Sequence, residues 1–425
     1  MASRPRAQRS PDRFADYRPE TQRRIAAARP AIRLAWIAGS LFAERGFGAT
    51  SIRDIAAAAG VAPSSVYSHY PSKDALLVAY LNESHEAAAS LLRTQMLENA
   101  TRPPADQVAA LVAFATQRFL TNPGSSVLSR AELRRASPES TAIARRMRAD
   151  SAEFLAGVIR RGHASRELHA PEPPDRLAIT LLSTARQAAP WLQRWPLAPV
   201  DVIADALGEF SRRIVVSSTR VDAAPLPRLS GRPGTSTRER ILRAATDHFA
   251  NSGYTSGSLR DIANSVGIRP PSIYEHYASK DHVLAAVVEL VVGWRVDAAD
   301  RATSRSGDHD VVDVVVDLLR DLVGISVVAP EPSIAVDAEF DHLPASLATP
   351  LANRHRWMVE TLAGLVREGR AAGRFHYAEP TPVVVFGVLA IAMQAAWLVL
   401  EDPRLDPAGL VADSVSYALR VLVTD

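Results

Sequence analysis

The sequence contains no cysteine, which excludes disulfide bonds, thiolate metal sites and cysteine nucleophiles. It is also nearly free of lysine, because only Lys73 and Lys280 occur among its 49 basic residues, each in the tripeptide Ser-Lys-Asp. The formal net charge of +3 excludes a bulk polycation, but it leaves room for a sequence-specific DNA reader with locally basic surfaces. The N-terminus has no apolar stretch of the secretory type, and we expect a cytoplasmic protein.

Common catalytic motifs are absent as well. We find no G-x-S-x-G, no P-loop, no G-x-G-x-x-G and no H-E-x-x-H, and His85-Glu86 lacks the second histidine of that last motif. The one tight cluster of His and Asp, at 308–310, lies in a Gly/Ser-rich loop that is typical of solvated side chains. We therefore expect no metal site and no cofactor, and a helical enzyme is kept only as an alternative.

The chain contains one sequence unit twice. A shift of 207 residues aligns 42–74 with 249–281 without a gap, and 17 of the 33 positions are identical. The same shift pairs Arg160 with Arg367 and His169 with His376 further downstream. Such a repeat indicates two halves of common ancestry, each with the same fold.

Both halves are predicted to be all-α. Alanine and leucine are abundant, β-branched alternation is scarce and hairpin turns of the Asn-Gly type are missing. In the first half, Ser51 and Asp54 have capping-box spacing, and the helix they begin is expected to end at Gly60. Pro63 then fits the first turn of a second short helix over 63–70, and Ser72 caps a long helix. The second half repeats these signals at Gly253, Ser258, Asp261, Gly267, Pro270 and Ser279.

Two short helices joined by a three-residue turn with glycine form the layout of a helix-turn-helix. The segment T-S-I-R-D-I-A-A-A-A-G-V-A-P-S-S-V-Y-S-H-Y-P-S-K-D resembles the DNA-binding module of TetR/AcrR-type transcriptional regulators, and so does S-L-R-D-I-A-N-S-V-G-I-R-P-P-S-I-Y-E-H-Y-A-S-K-D. The resemblance implies a three-helix DNA-binding head in each half, followed by an all-helical regulatory domain. The predicted organisation is a basic flexible arm (1–28), head one (29–76), regulatory domain one (77–216), a linker (217–236), head two (237–284) and regulatory domain two (285–425).

The second short helix of head one has the two faces that a recognition helix needs. Val66 and Tyr70 are four residues apart and face the core, which leaves the other stripe for the major groove. Arg269 in head two suits a bidentate contact with guanine, worth ~1–3 kcal/mol of discrimination. For Glu275, contact with cytosine and a solvated surface position both stay open. The predicted groove-facing residues are Ala62, Ser64, Ser65 and Ser68 in head one, and Arg269, Pro271, Ser272 and Glu275 in head two.

The resemblance further implies phosphate contacts. Lys73 and Lys280 would hold phosphate at helix N-termini, where the backbone already attracts anions. Each residue type also has an alternative role. The lysines could be exposed surface charges, the histidines could be rings packed between helices, and the arginines could contact only solvent. Gly257 replaces Thr50 in the second half, so Ser256 or Ser258 would take over its hydroxyl. The implied phosphate set is Thr50, Arg53, Tyr67, His69 and Lys73, with Ser258, Arg260, Tyr274, His276 and Lys280.

The regulatory domains are expected to bind an unknown small apolar or amphipathic effector. Core packing is the alternative role for each candidate. The uncharged run at 383–400 has the length of a short membrane span, but its counterpart in the first half carries three arginines, so we expect a buried helix and no membrane. The candidate effector residues are Trp191, Trp195, Trp357, Phe386, Met393 and Trp397.

Regulators of this type pair as two-fold dimers on palindromic operators. Here both copies lie on one chain, and a linker of about 20 residues spans at most ~65–70 Å when extended. We therefore expect an intramolecular pseudo-dimer on an asymmetric operator, with further homodimerisation left open. The alternative is that only head one binds DNA and the second half is a structural partner.

Overall fold

The computed structural model describes residues 19–121, 137–194, 198–229, 234–254 and 258–423. The regular elements in these ranges are helices, which confirms the all-α prediction. The chain divides into two compact units, of which one comprises residues 1–100 and 114–151 and the other 101–113 and 152–425. The second unit therefore contains the whole second half together with the last helices of the first half.

The first half contains α1 (Pro19–Ala27), α2 (Pro30–Arg45), α3 (Ile52–Ala59), α4 (Pro63–Tyr67), α5 (Lys73–Glu98), α6 (Pro104–Thr121), α7 (Pro138–Ala164), α8 (Pro174–Arg194) and α9 (Val200–Val216). The second half contains α10 (Thr237–Ser252), α11 (Leu259–Ser265), the 3-10 helix η1 (Pro270–Glu275), α12 (Lys280–Arg305), α13 (Val311–Val328), α14 (Pro330–Glu339), η2 (Phe340–His342), α15 (Ala345–Ala371), α16 (Thr381–Glu401) and α17 (Pro407–Leu422).

The 207-residue register found in the sequence extends through the helices. The pairs α2/α10, α5/α12, α6/α13, α7/α15 and α8/α16 begin and end 207 residues apart. The pairs α3/α11 and α9/α17 start in the same register and differ by one residue at their ends. The two halves therefore share their helical plan well beyond the short motif.

Helix α1 lies within the segment predicted to be a flexible arm, so that prediction is wrong for residues 19–27. The helix forms because Ile25 is buried against the core of head one, only 2% exposed. Arg24 adds ion pairs to Glu83 and Glu86 on α5, at 3.3 and 3.4 Å. An apolar anchor and paired charges together fix a segment whose composition alone indicates a solvated tail.

The core of head one is built around a close approach of α2 and α5. Trp36 and Tyr80 meet edge to face, with ring centroids 5.4 Å apart. Gly39 permits this contact, because a Cβ atom at position 39 would lie 2.2 Å from the Tyr80 ring. Ile55 on α3 and Val66 on α4 complete the same core, and both are fully buried. This packing holds the two short helices in place and leaves their other faces to solvent.

Helices from both halves pack together within the second unit. Helix α16 packs against α8, and α9 packs against both α16 and α17. Phe210 of α9 lies against Gly387 of α16, where a Cβ atom would be 2.6 Å from its ring. Helix α16 is long and apolar enough to cross a membrane by composition, but 72% of its 18-residue apolar window is buried within the protein. It is thus packed as a core helix, as its counterpart in the first half predicts.

Two ion pairs, one fully buried and one partly exposed, join the halves across this helix cluster. Arg420 of α17 makes a bidentate contact with Glu172, at 3.0 and 2.9 Å, and its guanidinium also donates to the Ile214 carbonyl. Arg213 of α9 contacts both carboxylate oxygens of Glu379 from the single nitrogen Nη2, at 3.1 and 3.3 Å, and donates from Nη1 to the carbonyl of Val421. Each residue of the first set has its counterpart in the second set 207 residues away.

The first part of the linker lies along the second half. Arg420 donates from Nε to the Thr219 carbonyl at 2.7 Å, and the Val221 amide donates to the Ser416 hydroxyl at 2.9 Å. Pro227 packs against Gly324 of α13, with a ring carbon 2.4 Å from the position that a Cβ atom would take. Within the predicted linker, residues 217–229 therefore form a strap along α13 and α17.

Candidate nucleic-acid interface

Short-range hydrogen bonds and backbone preferences set the ends of the two short helices in the helix-turn-helix of head one. Ser51 accepts from the Asp54 amide, and the Asp54 carboxylate accepts from the Ser51 amide at 2.8 Å, which forms the predicted capping box. Hydrogen bonds from the Ser51 hydroxyl and amide lower the pKa of Asp54. Gly60 ends α3 in the left-handed region at φ 70°, which only glycine adopts at little cost. Pro63 begins α4 at its first position, as predicted.

The groove-facing residues predicted for head one are all exposed. Helix α4 is shorter than predicted and ends at Tyr67, because the following residues form a turn in which the His69 amide donates to the Val66 carbonyl. Tyr67 is 56% exposed, which is unusual for an aromatic side chain in a folded head. The exposed set is Arg53, Ala62, Ser64, Ser65, Tyr67, Ser68 and His69.

Head two presents the corresponding surface on a different backbone. Pro270 and Pro271 begin a 3-10 helix, η1, in the place where head one has α4. Tyr274 is 60% exposed and matches Tyr67 in both position and exposure. Ser258, Arg260, Arg269, Pro271 and Glu275 are also exposed, while Ser272, His276 and Lys280 are half-buried. Gly257 replaces Thr50 in head two, and Ser256 is one of the two serines predicted to supply the missing hydroxyl. Both residues lie outside the described part of the chain.

Thr50 and Lys73 are engaged within head one. Thr50 is 1% exposed, and its hydroxyl donates to the Gly46 carbonyl at 2.8 Å. The Lys73 ammonium donates to the carbonyls of Phe47 and Thr50, at 2.6 and 2.9 Å, and lies 4.4 Å from the centroid of the Phe47 ring. Lys73 therefore fastens the loop before α3 to the start of α5, next to the surface that the phosphate prediction concerns.

Lys280 makes the equivalent contact in head two. Its ammonium donates to the Tyr254 carbonyl and lies 4.2 Å from the centroid of the Tyr254 ring. The Tyr254 hydroxyl donates to Asp281, and burial together with this carboxylate raises the pKa of Tyr254. An ammonium is a compact point charge on a flexible stem, and here it meets a backbone carbonyl and the face of the same residue's ring. This geometry gives a reason for lysine at the two positions in a chain that otherwise uses arginine.

The described effector candidates lie on α15 and α16. Phe386, Met393 and Trp397 are half-buried on one stripe of α16, and Trp357 is 38% exposed on α15. Trp195 and the side chain of Trp191 lie outside the described residues.

Sequence reasoning missed the four residues of the paired arginine and glutamate contacts, Glu172, Arg213, Glu379 and Arg420. A signal was available, because both an arginine and a glutamate recur 207 residues apart outside the motif. Burial decides their role, and burial of single charged residues is not visible in a helical sequence.

Comparison with known proteins matches both heads and the first regulatory domain. The family model described as bacterial regulatory proteins, tetR family, matches residues 38–80 and 241–287, and the tetracyclin repressor-like C-terminal domain model matches 101–215. The transcriptional regulator UidR of Escherichia coli K12 is 29% identical over 145 residues, which is 32% of this chain and 68% of UidR. The repressor KstR2 of Rhodococcus jostii is 54% identical over 41 residues, which is 10% of this chain and 20% of KstR2.

A solved tetR-family regulatory protein from Rhodococcus RHA1 is 22% identical, and the alignment covers 45% of this chain and all of that protein, with a TM-score of 0.42. The chain belongs to the tetR family of bacterial transcriptional regulators and carries the DNA-binding module of that family twice. Its relatives are regulators of transcription and not enzymes.

Replacing Lys73 by alanine should weaken both the fold and the DNA contact. Loss of charged hydrogen bonds to two carbonyls is expected to lower the free energy of unfolding by ~1.5–3 kcal/mol. If the ammonium also meets phosphate, the salt dependence of DNA affinity falls by ~1 in slope, equally for all sequences. Urea unfolding and titrations at several salt concentrations measure the two effects. Lys73→Arg is the control, since it keeps the charge but should not restore stability. An unchanged slope in Lys73→Ala would remove the phosphate role.

Proposed function

We propose that this regulator acts as a single chain, in which the two halves form an intramolecular pseudo-dimer that binds an asymmetric operator. The observation that carries the proposal is the reciprocal pair of ion contacts, Arg420 with Glu172 and Arg213 with Glu379. In a two-fold interface, if residue i of one copy meets residue j of the other, then j of the first also meets i of the second. The two contacts follow that rule within one chain.

The carbonyl contacts extend the same symmetry. Arg420 donates to the carbonyl of Ile214, and Arg213 donates to that of Val421, so each guanidinium reaches across to the end of the opposite helix. The helix ends involved, on α9 and α17, are themselves equivalent by the 207-residue register. Backbone and side-chain contacts thus both repeat across the junction, which supports a pseudo-two-fold axis between the halves.

The linker supports a contact within one chain in preference to exchange between chains. Its strap, residues 217–229, runs from the end of α9 onto α17 and α13 of the same chain. Where Arg213 donates from Nε to Glu209, Arg420 donates from Nε to the Thr219 carbonyl, because Ser416 stands in the place of a second glutamate. The strap therefore supplies the acceptor that the second half lacks.

The two heads differ in the side chains they would insert into the groove. Head one offers Ser64 and Ser65 on α4 and Ser68 at its C-terminal cap, and head two offers Arg269 and Glu275 around a 3-10 helix. Different donors and acceptors favour different base pairs, so the operator should consist of two unlike half-sites with centres about 34–36 Å apart. We further propose that the protein is cytoplasmic, represses its targets, and is released from DNA by a small effector.

Native mass spectrometry and selection of bound sites from random DNA test the proposal together. The expected species is a 45.9-kDa monomer, free and as a 1:1 complex with one operator, and the selected site lacks palindromic symmetry. An obligate dimer of the chain, or a perfect palindrome, would contradict the pseudo-dimer. A site that preserves sequence in only one half would favour the second candidate function, in which head two no longer reads DNA, and Glu275 together with the 3-10 backbone of η1 motivates that candidate.

A further inference from the structure

A buried arginine in regulatory domain two lacks acceptors for its terminal nitrogens. Arg295 lies on α12, and only 3% of the residue is exposed. Neither Nη1 nor Nη2 makes a hydrogen bond to any atom in the described part of the chain. A guanidinium carries five N–H donors, and those that are buried without acceptors destabilise the fold. Within the described residues, the position therefore leaves room for oxygen acceptors at hydrogen-bond distance from these two nitrogens.

The charge of Arg295 is nevertheless balanced. Its Nη1 atom lies 3.7 Å from Oδ1 of Asp337 on α14, which is too long for a hydrogen bond but close enough for an ion pair. The Asp337 side chain is itself only 14% exposed. Because the pair is already neutral, an additional anion would bring an uncompensated charge into a buried place. The guanidinium needs hydrogen-bond acceptors and not negative charge.

The surroundings of the pair are apolar. On α12 the neighbouring residues Val291, Val292, Ala298 and Ala299 are at most 1% exposed. On α14 the preceding residues 334–336 are apolar and at most 4% exposed. Helix α12 packs against α13, α14 and α15, so the pair lies at the junction of α12 and α14 within this helical core. A molecule bound beside the guanidinium would therefore meet mainly hydrocarbon from these two helices.

This arrangement occurs in one half only. The residue 207 positions before Arg295 is Ala88, which carries no donor. The equivalent helix of the first half, α5, therefore has no counterpart of the buried guanidinium. Whatever Arg295 recognises should accordingly bind once per chain.

We propose that Arg295, positioned by Asp337, forms the polar end of a ligand site in regulatory domain two. The site takes one uncharged, largely apolar molecule whose carbonyl oxygen accepts hydrogen bonds from the guanidinium. The existence of this site does not depend on the proposed function. Only the role of its ligand as the effector rests on that function.

The test measures binding of heptan-2-one and of heptanoate to the full chain by calorimetry, without DNA. Heptan-2-one presents the neutral carbonyl, and heptanoate presents a carboxylate on a chain of equal length. We expect the ketone to bind at one molecule per chain, and Arg295→Leu to weaken it about tenfold or more, as the loss of hydrogen bonds to a charged group predicts. Arg301→Leu is the matched control, since Arg301 lies on the same helix and pairs at the surface with Asp321.

Two results would overturn the proposal. One is tighter binding of heptanoate than of the ketone through Arg295, and the other is that neither probe shows binding that depends on Arg295. If Arg295→Leu does not fold, the double variant Arg295→Leu/Asp337→Leu removes both charges together and should fold without binding the ketone. Ketone binding that leaves DNA affinity unchanged would count against the effector role in the proposed function, and not against the site.

Discussion

Replacing Arg420 by methionine should lower the free energy of unfolding by about 3–5 kcal/mol, because removing one partner strands the other charge in the interior. The Arg420 side chain is fully buried, and that of Glu172 is 3% exposed. The guanidinium also satisfies the carbonyls of Thr219 and Ile214, so its loss leaves a carboxylate and two backbone acceptors without this donor. Methionine fills a similar volume but donates no hydrogen bond.

The symmetry of the molecule provides the matched control. Arg213→Met removes the equivalent residue, but the Arg213 and Glu379 side chains are 10% and 13% exposed, so water can reach the stranded charge. We expect a smaller loss of ~1–2 kcal/mol at this partly exposed pair. The double variant Arg420→Met/Glu172→Leu should recover most of the loss, since a buried ion pair contributes little once both charges are gone. Equal losses for the two single variants, measured by urea unfolding, would refute the argument from burial.

Residues with local consequences were predictable from the sequence. The capping box at Ser51, the left-handed glycine at Gly60 and the proline at Pro63 act within one helical turn, and the structure has each of them as predicted. The repeat then extended these local signals to Ser258 and Gly267. The bounds of the helix-turn-helix follow from such short-range chemistry, except that α4 ends early in head one and a 3-10 helix replaces its counterpart in head two.

Long-range contacts were beyond the sequence. Lys73 was predicted to hold phosphate because the family resemblance implies that contact, at a helix N-terminus where a cation disfavours its own helix. The carbonyls of Phe47 and Thr50 compensate that cost, and they lie more than 20 residues away in the chain. Likewise, Glu172 and Arg420 are 248 residues apart in the chain, so neither residue indicates the other. Only the packing of the helices brings these groups together.

Substituting Tyr67 by glutamate should reduce affinity for the selected operator by about 10²–10⁴-fold, and Tyr274→Glu should do the same. The two tyrosines are equivalent by the 207-residue register and are 56% and 60% exposed, so the substitutions should leave the fold intact. Each places a carboxylate where the proposed head contacts phosphate, which repels that half-site. Because both heads lie on one chain, losing either removes the gain in effective concentration that the second contact provides.

Fluorescence anisotropy at one fixed salt concentration measures the loss, and Leu97→Glu serves as the control. Leu97 is 79% exposed and lies near the C-terminal end of α5, whereas Lys73 is at its N-terminal end. A helix of 26 residues places these two ends roughly 35–40 Å apart. The control adds the same charge to the same chain and should leave affinity nearly unchanged. Equal losses in Tyr67→Glu and Tyr274→Glu mean that both heads hold the operator. A loss in Tyr67→Glu alone means that head one reads DNA while the second half serves as its structural partner. If neither variant loses affinity, the two tyrosines are not part of the DNA interface.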